Sequence, residues 1–315
     1  MLPLLLAAIA SLVNAPPAPG APPSFRVLEW NVSDSAWIRH RAASRAVLRS
    51  ADPDIVVLVQ VSGGTGVRGV REMLAGLRNP ADTTWFVTSR VQGDYEHTVI
   101  ASRYPVRALS EFDRVAYPDT GRAVARATPM PGETVPQRDT VDLARTNGAL
   151  VRVADRWLLV VGLHLTCCGT RDDWREARRR LAATAVRDRT RAAMARTRPA
   201  GVVMAGDMNL VGGRAPLDTL LATIAAPPLG PLRRAPAVHF DGWTDWTWDG
   251  RGTPFNAGRL DNIVYSTGTL DLLRARVWDT ESMDADTLRA YGLMPETSRT
   301  IGRHRPVVVD LRFSS

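Results

Sequence analysis

"GVVMAGDMNLVGG", residues 201–213, is an apolar run that stops at an acid. Gly201 to Ala205 read as a buried strand, rich in Val and bounded by glycine. Asp207 and Asn209 stand two apart, so in an extended chain their side chains face the same way. A carboxylate at a strand end is ordinarily a turn former or a helix cap. It becomes a candidate for chemistry when other strands in the chain end the same way.

They do. "SFRVLEWNV" (24–32) ends in Asn31, "WLLVVGLHL" (157–165) carries His164, "LDNIVYS" (260–266) carries Asp261, and "RPVVVDLRF" (305–313) follows His304. Further strands are expected at 54–61, 84–89, 97–102, 149–153 and 272–279. Helices are expected at about 39–50, 66–78, 172–196 and 215–224. In the third of these, Trp174, Ala177, Leu181, Thr184, Ala185 and Met194 fall on roughly one face, and Arg175–Arg180 reads as a solvated one. Two stretches rich in Pro, Gly and polar residues, 117–140 and 226–256, read as long loops of the kind that border sites. No internal repeat is visible. Strands and helices mixed without a strict βαβ rhythm predict an α+β sandwich.

The 315 residues, 45% hydrophobic, exclude a disordered chain. The net charge of +8 and a pI near 10.5 invite a nucleic-acid or anionic-surface reading. That reading is weakened because all 40 basic residues are Arg, with no Lys, as codon bias in a GC-rich genome would produce. The start, "MLPLLLAAIASLVNA", has an apolar stretch too short to span a membrane, which needs ~20 residues. With Val13 and Ala15 at the cleavage positions it reads as a secretory signal over 1–15. "PPAPGAPP" then reads as an extended linker within 16–24, followed by one domain over 25–315. A secreted or periplasmic monomer with no transmembrane segment is expected. Cys167 and Cys168 are adjacent, with Cα atoms ~3.8 Å apart, below the usual disulfide span. A strained vicinal disulfide and a pair of free thiols both stand as readings.

Seven strings, "VLEWNV", "PDIVVLVQV", "VIASRYPV", "GLHL", "MAGDMNLVGG", "GRLDNIVYS" and "GRHRPVVVDL", resemble the endonuclease/exonuclease/phosphatase superfamily in its own order over residues 25–313. The resemblance implies a four-layer α/β/β/α sandwich, with two packed mixed β-sheets flanked by helices and a site at one end of the sheets. It implies a phosphodiester or phosphomonoester substrate, nucleic acid or a small phosphorylated compound, attacked in line by water with Mg or Mn. Carried over by position, Asp207 resembles the water-activating carboxylate and Asn209 its phosphate-positioning neighbour. Asn31 resembles a residue that helps hold metal and substrate. His164 and His304 resemble the two catalytic histidines, and Asp261 the partner of His304.

Two positions depart from the pattern. Gln60 stands where the family has its metal-binding Glu, and Arg303 where it commonly has an Asp. Together they make the site more positive by three charges, and a hard dication needs carboxylates. Three readings follow. Arg303 clamps phosphate in place of the metal. Or Glu29, on the same strand face as Asn31, returns a carboxylate from a neighbouring position; its plain alternative is a buried partner for an Arg, Arg303 included. Or the fold is kept as a scaffold for a non-catalytic phosphate- or anion-binding protein. His97 is either a cleft residue or a satisfied strand-end histidine. Arg122, Arg126 and Arg138 are either substrate contacts or surface residues. The Trp residues of "DGWTDWTWDG" (241–250) either stack on substrate or pack beneath a loop.

Overall fold

The computed structural model describes residues 23–33, 36–79, 81, 84–91, 96–118, 143–224 and 227–315. The signal and most of the linker lie outside the described residues, as do Arg122, Arg126 and Arg138.

Val- and Leu-rich runs form strands where the sequence places them: β1 Ser24–Asn31, β2 Ile55–Ser62, β3 Phe86–Val91 and β4 Glu96–Ser102. After the short β5 Val106–Ala108 come β6 Arg145–Val153, β7 Arg156–His164, β8 Gly201–Asp207 and β9 Leu232–Arg234. The chain closes with β10 Asp261–Ser266, β11 Leu270–Val277 and β12 Val307–Phe313. Six strands pair in the order β11-β12-β1-β2-β4-β3, and six in the order β5-β6-β7-β8-β10-β9. Each sheet is mixed, with one parallel pair, β1 with β2 and β7 with β8.

Side-chain alternation sorts the core into layers. Phe25, Val27, Ile55 and Val57 of the first sheet meet Val160, Val203 and Ile263 of the second in the central layer. The opposite face of the first sheet, through Leu28, Trp30, Val56 and Leu58, packs on Val47, Leu48 and Met73 of helices Arg41–Ala51 and Gly66–Leu74. On the far side of the second sheet, Val161, Leu163, Val202 and Met204 pack on Ala182, Val186 and Leu217 of helices Trp174–Thr197 and Ala215–Leu221. This is the α/β/β/α sandwich that the resemblance implied.

The long helix corrects one expectation. Its Arg run is not a solvated face: Arg178 and Arg179 are buried, as is Glu176. Arg179 Nε donates to Glu176 at 2.8 Å, and its Nη1 donates to the carbonyls of Thr166 and Cys168. Of the expected face Trp174 and Ala185 are buried, whereas Ala177, Leu181, Thr184 and Met194 are half-buried and Glu176, Arg179, Ala182, Ala183, Val186, Thr190 and Ala193 carry the rest of the buried stripe. The helix starts where Asp173 accepts hydrogen bonds from the Arg175 and Glu176 amides. Helices Ala285–Tyr291 and Thr297–Ile301 and strands β5 and β9 were not foreseen; all are too short to show a period.

Candidate active site

Register builds the site. β7 pairs with β8 so that His164 lies opposite Asp207, and β8 pairs with β10 so that Asp207 lies opposite Asp261. Three polar residues thus stand in a row at one end of the second sheet. Gly206 makes the row compact. Its φ is +157°, and a Cβ there would lie 1.7 Å from the Leu163 carbonyl oxygen. From the first sheet, Asn31 at the end of β1 reaches across the central layer, and its Nδ2 donates to Asp207 Oδ2 at 2.9 Å. Asp207 Oδ1 accepts from the Asn209 amide.

His304 precedes β12. Its Nδ1 lies 2.8 Å from Asp261 Oδ2, and the carboxylate fixes the ring orientation. Its backbone is held by Trp30, whose indole donates to the His304 carbonyl. His304 is raised above the ordinary histidine range. Burial pulls it down, but Asp261, in charge and hydrogen bond, and the charge of Asp207 outweigh that. Asp261 is itself pushed up by burial and by Asp207, against the pull of His304.

His164 is buried, with Nε2 3.9 Å from Asp207 Oδ2 and Nδ1 3.6 Å from Glu96 Oε2. Glu96 was missed in the sequence, although it directly precedes "HTVIAS". It begins β4 and accepts from Gln60 Nε2 at 3.0 Å and Arg145 Nη1 at 3.2 Å. Burial would raise its carboxyl, but His164, Arg145 and Gln60 hold it down at about 2. Gln60 sits at a bulge between Leu58 and Val61 with φ +57°, and its amide ties down a carboxylate from the neighbouring strand of the sheet.

Several expectations change. Asn209 does not continue the strand: β8 ends at Asp207, Asn209 has φ +44°, and its Nδ2 donates to the Leu165 carbonyl. Glu29 is not the partner of an Arg. It is fully buried, neither carboxylate oxygen has a hydrogen-bond partner, and burial first, then Asp261 and Asp207, push it well above the usual range. Arg303 directs Nη1 into the carbonyls of Asp249 and Arg251, at 3.0 and 2.8 Å, and so clasps the preceding loop. His97 is a satisfied strand residue, its Nδ1 2.6 Å from Ser89 Oγ. Of the three Trp residues, Trp243 is exposed, Trp246 packs on His239 and Arg305, and Trp248 faces the cleft. Cys167 and Cys168 are free and exposed thiols.

These groups line a cleft of about 740 Å³. Gln60, His164, Asp207, Asn209 and His304 share it with Arg39, Arg259 and Arg303 and with an apolar wall of Val211, Trp248 and Phe255. Among the described residues, Asp207, Asp261 and His304 offer ligand atoms within 4.8 Å of one another. The set could hold a hard dication. Beside Gln60 the carboxylate is Glu96, already engaged by Gln60 and Arg145.

A family model described as the Endonuclease/Exonuclease/phosphatase family matches residues 28–299. The matched span ends just before Arg303 and His304, which only the fold brings to the cleft. No curated protein matches. Among solved structures, the chain is similar to an endonuclease/exonuclease/phosphatase protein from Bacteroides vulgatus, with TM-score 0.60, 15% identity and coverage of 93% of this chain and 100% of that one. It is similar to truncated Caenorhabditis elegans TDP2, with TM-score 0.57, 16% identity and coverage of 92% and 98%. The human Nocturnin catalytic domain with bound sulfate anion follows, with TM-score 0.55, 16% identity and coverage of 93% and 96%.

Proposed function

The chain belongs to the endonuclease/exonuclease/phosphatase family, and on that premise we propose that it is a phosphate-ester hydrolase acting at the cleft of Asp207 and His304. The observation that carries this reading is the convergence of both sheets on one carboxylate. Asp207 is oriented by Asn31 and the Asn209 amide, with His164 on one side and the Asp261–His304 pair on the other. Asp207 is placed to orient a water and take its proton during in-line attack. His304, kept charged by Asp261, places an N–H donor where negative charge develops on phosphorus oxygens. Arg39, Arg259 and Arg303 make the cleft attractive to anions, and the wall of Val211, Trp248 and Phe255 suits a substrate with an apolar or planar group beside its phosphate.

Family members are usually metal-dependent. Asp207 and Asp261, with His304 beside them, are the residues that would hold Mg or Mn here, and Glu29, which feels both charges, would join them on losing its proton. When bound, the ion would polarise the phosphate. Nucleic acid or a small phosphodiester is the proposed substrate class, and the apolar start of the chain supports export to a secreted or periplasmic location.

The test is hydrolysis of bis-p-nitrophenyl phosphate with Mg, with Mn and with EDTA. Turnover that needs metal and disappears in Asp207→Asn and His304→Ala, with circular dichroism unchanged, is the expected result. A second reading is favoured by the three arginines lining the cleft: a non-catalytic binder of phosphate or another anion. Phosphate binding without turnover under any of these conditions would establish that reading instead.

A further inference from the structure

The wall of the cleft next to His164 carries a chemistry that hydrolysis does not use. Cys167 and Cys168 line it, with their sulfurs 2.8 Å apart. The loop that presents them is built for the purpose. Buried Arg179 grips the carbonyls of Thr166 and Cys168, on either side of Cys167. Asp173 accepts from the Thr170 amide. Cys168 turns back at φ +66° and Gly169 at φ +81°, where a Cβ would lie 2.2 Å from the Asp173 carboxylate. The result is two adjacent exposed thiols, aimed at the same space as Asp207 and His164.

We propose that Cys167 and Cys168 are a reversible oxidation site that sets the affinity of the cleft for phosphate. The two thiols are not equivalent. The hydrogen bond between the two sulfurs, aided by Arg175 and Arg179, lowers Cys168 to about 6 against the effects of burial and Asp207. The Cys167 thiol is pushed up by the same bond, by burial and by the charges of Cys168 and Asp207, Arg145 opposing. Cys168 is therefore the attacking thiolate. It attacks one sulfur of a small dialkyl disulfide, whose S–S bond breaks and releases one thiol. Cys167 then gives up its proton and attacks the Cys168 sulfur of the mixed disulfide, releasing the second thiol. The protein loses two electrons and two protons, and the oxidant becomes two thiols. A bridge between neighbouring residues is strained, so a thiol reductant reopens it.

In the reduced chain a thiolate stands at the rim of an anion site and repels phosphate. The bridge removes that charge. The gating rests on the cleft being a phosphate site; the thiol chemistry does not.

The test treats the full chain with oxidised glutathione near neutral pH, then measures thiols, intact mass and inorganic phosphate binding by calorimetry. Two thiols should fall to none, with the mass lower by two hydrogens and no glutathione retained. Phosphate should bind roughly three- to tenfold tighter after oxidation, as expected for removing one unit charge from a wet cleft. Cys167→Ser should stop at the glutathione adduct, and Cys167→Ser with Cys168→Ser should not respond. A wild-type chain that keeps glutathione overturns the site. Equal phosphate affinity in both states, or no affinity in either, overturns the gating. A redox-dependent phosphate affinity without any ester hydrolysis would sink the hydrolase reading and leave the switch standing. Hydrolysis with redox-independent phosphate binding would do the reverse.

Discussion

Replacing Glu29 by Gln should make the protein more stable in alkali and leave it unchanged in mild acid. Glu29 is fully buried with neither oxygen partnered, and Asp207 and Asp261 face it. Its carboxyl is therefore protonated in the folded chain and ionised in the unfolded chain above the ordinary range. Unfolding releases a proton, so the contribution of this residue is fully present below the unfolded pKa. It is lost as pH rises toward the folded one. One proton gives at most ~1.4 kcal/mol per pH unit. As pH climbs from the unfolded pKa toward the folded one, the wild type should lose stability relative to Glu29→Gln, which cannot titrate. Each ~1 kcal/mol so lost lowers Tm by about 2 °C in a domain of this size. Urea unfolding of both chains across this pH range, without divalent metal, reads the slope directly. Added Mn should recover wild-type stability at the alkaline end and do little for the variant. Parallel pH profiles for the two chains would refute the reasoning and show Glu29 to be ionised and compensated.

Three further outcomes are expected. Gly206→Ala puts a methyl group 1.7 Å from the Leu163 carbonyl oxygen. It should cost about 2–3 kcal/mol in a urea melt and weaken phosphate binding, because the register of His164 against Asp207 is set there. Arg305→Met removes the buried guanidinium that bridges Asp279 and Asp249 at 2.9 and 3.1 Å, leaving them to His239 and Arg251. A loss of about 3–5 kcal/mol is expected, with raised protease sensitivity in the loop around Trp248. Expression of the whole chain in a secreting bacterium should yield a mature protein beginning at Pro16, read by N-terminal sequencing; retention of the first fifteen residues in the exported fraction would count against the signal.

What was legible in the sequence was whatever a strand can announce alone. Asn31, His164, Asp207 and Asp261 each interrupt or end an apolar run, and pairing at fixed register then sets them side by side. What was not legible depends on partners far along the chain. Glu96 matters because a bulge turns Gln60 toward it, and nothing in "VLVQV" marks that bulge. Arg303 reads as a cation for phosphate, yet its Nη1 is engaged by two loop carbonyls more than fifty residues earlier. Arg179 looked like one of a solvated run because the carbonyls that accept from it belong to the loop after His164. Glu29 reads in the sequence either as a carboxylate for metal or as the partner of an Arg, and only the packed sheets set it against Asp261 and Asp207.

The order of strands in the two sheets has a consequence for how the molecule is made. The second sheet is assembled from one uninterrupted stretch, β5 to β10, whereas the first is split between the two ends of the chain, with Ser24 paired to Arg312. Contacts so distant in sequence form late. The middle stretch is therefore expected to condense first, with β1 and β2 left waiting for β12; pulsed hydrogen exchange would show β6–β8 amides protected before those of β1. Asn31 and His304 reach Asp207 only when that last strand docks. A chain still emerging from the ribosome, or halted before β12, holds its own reaction centre in pieces.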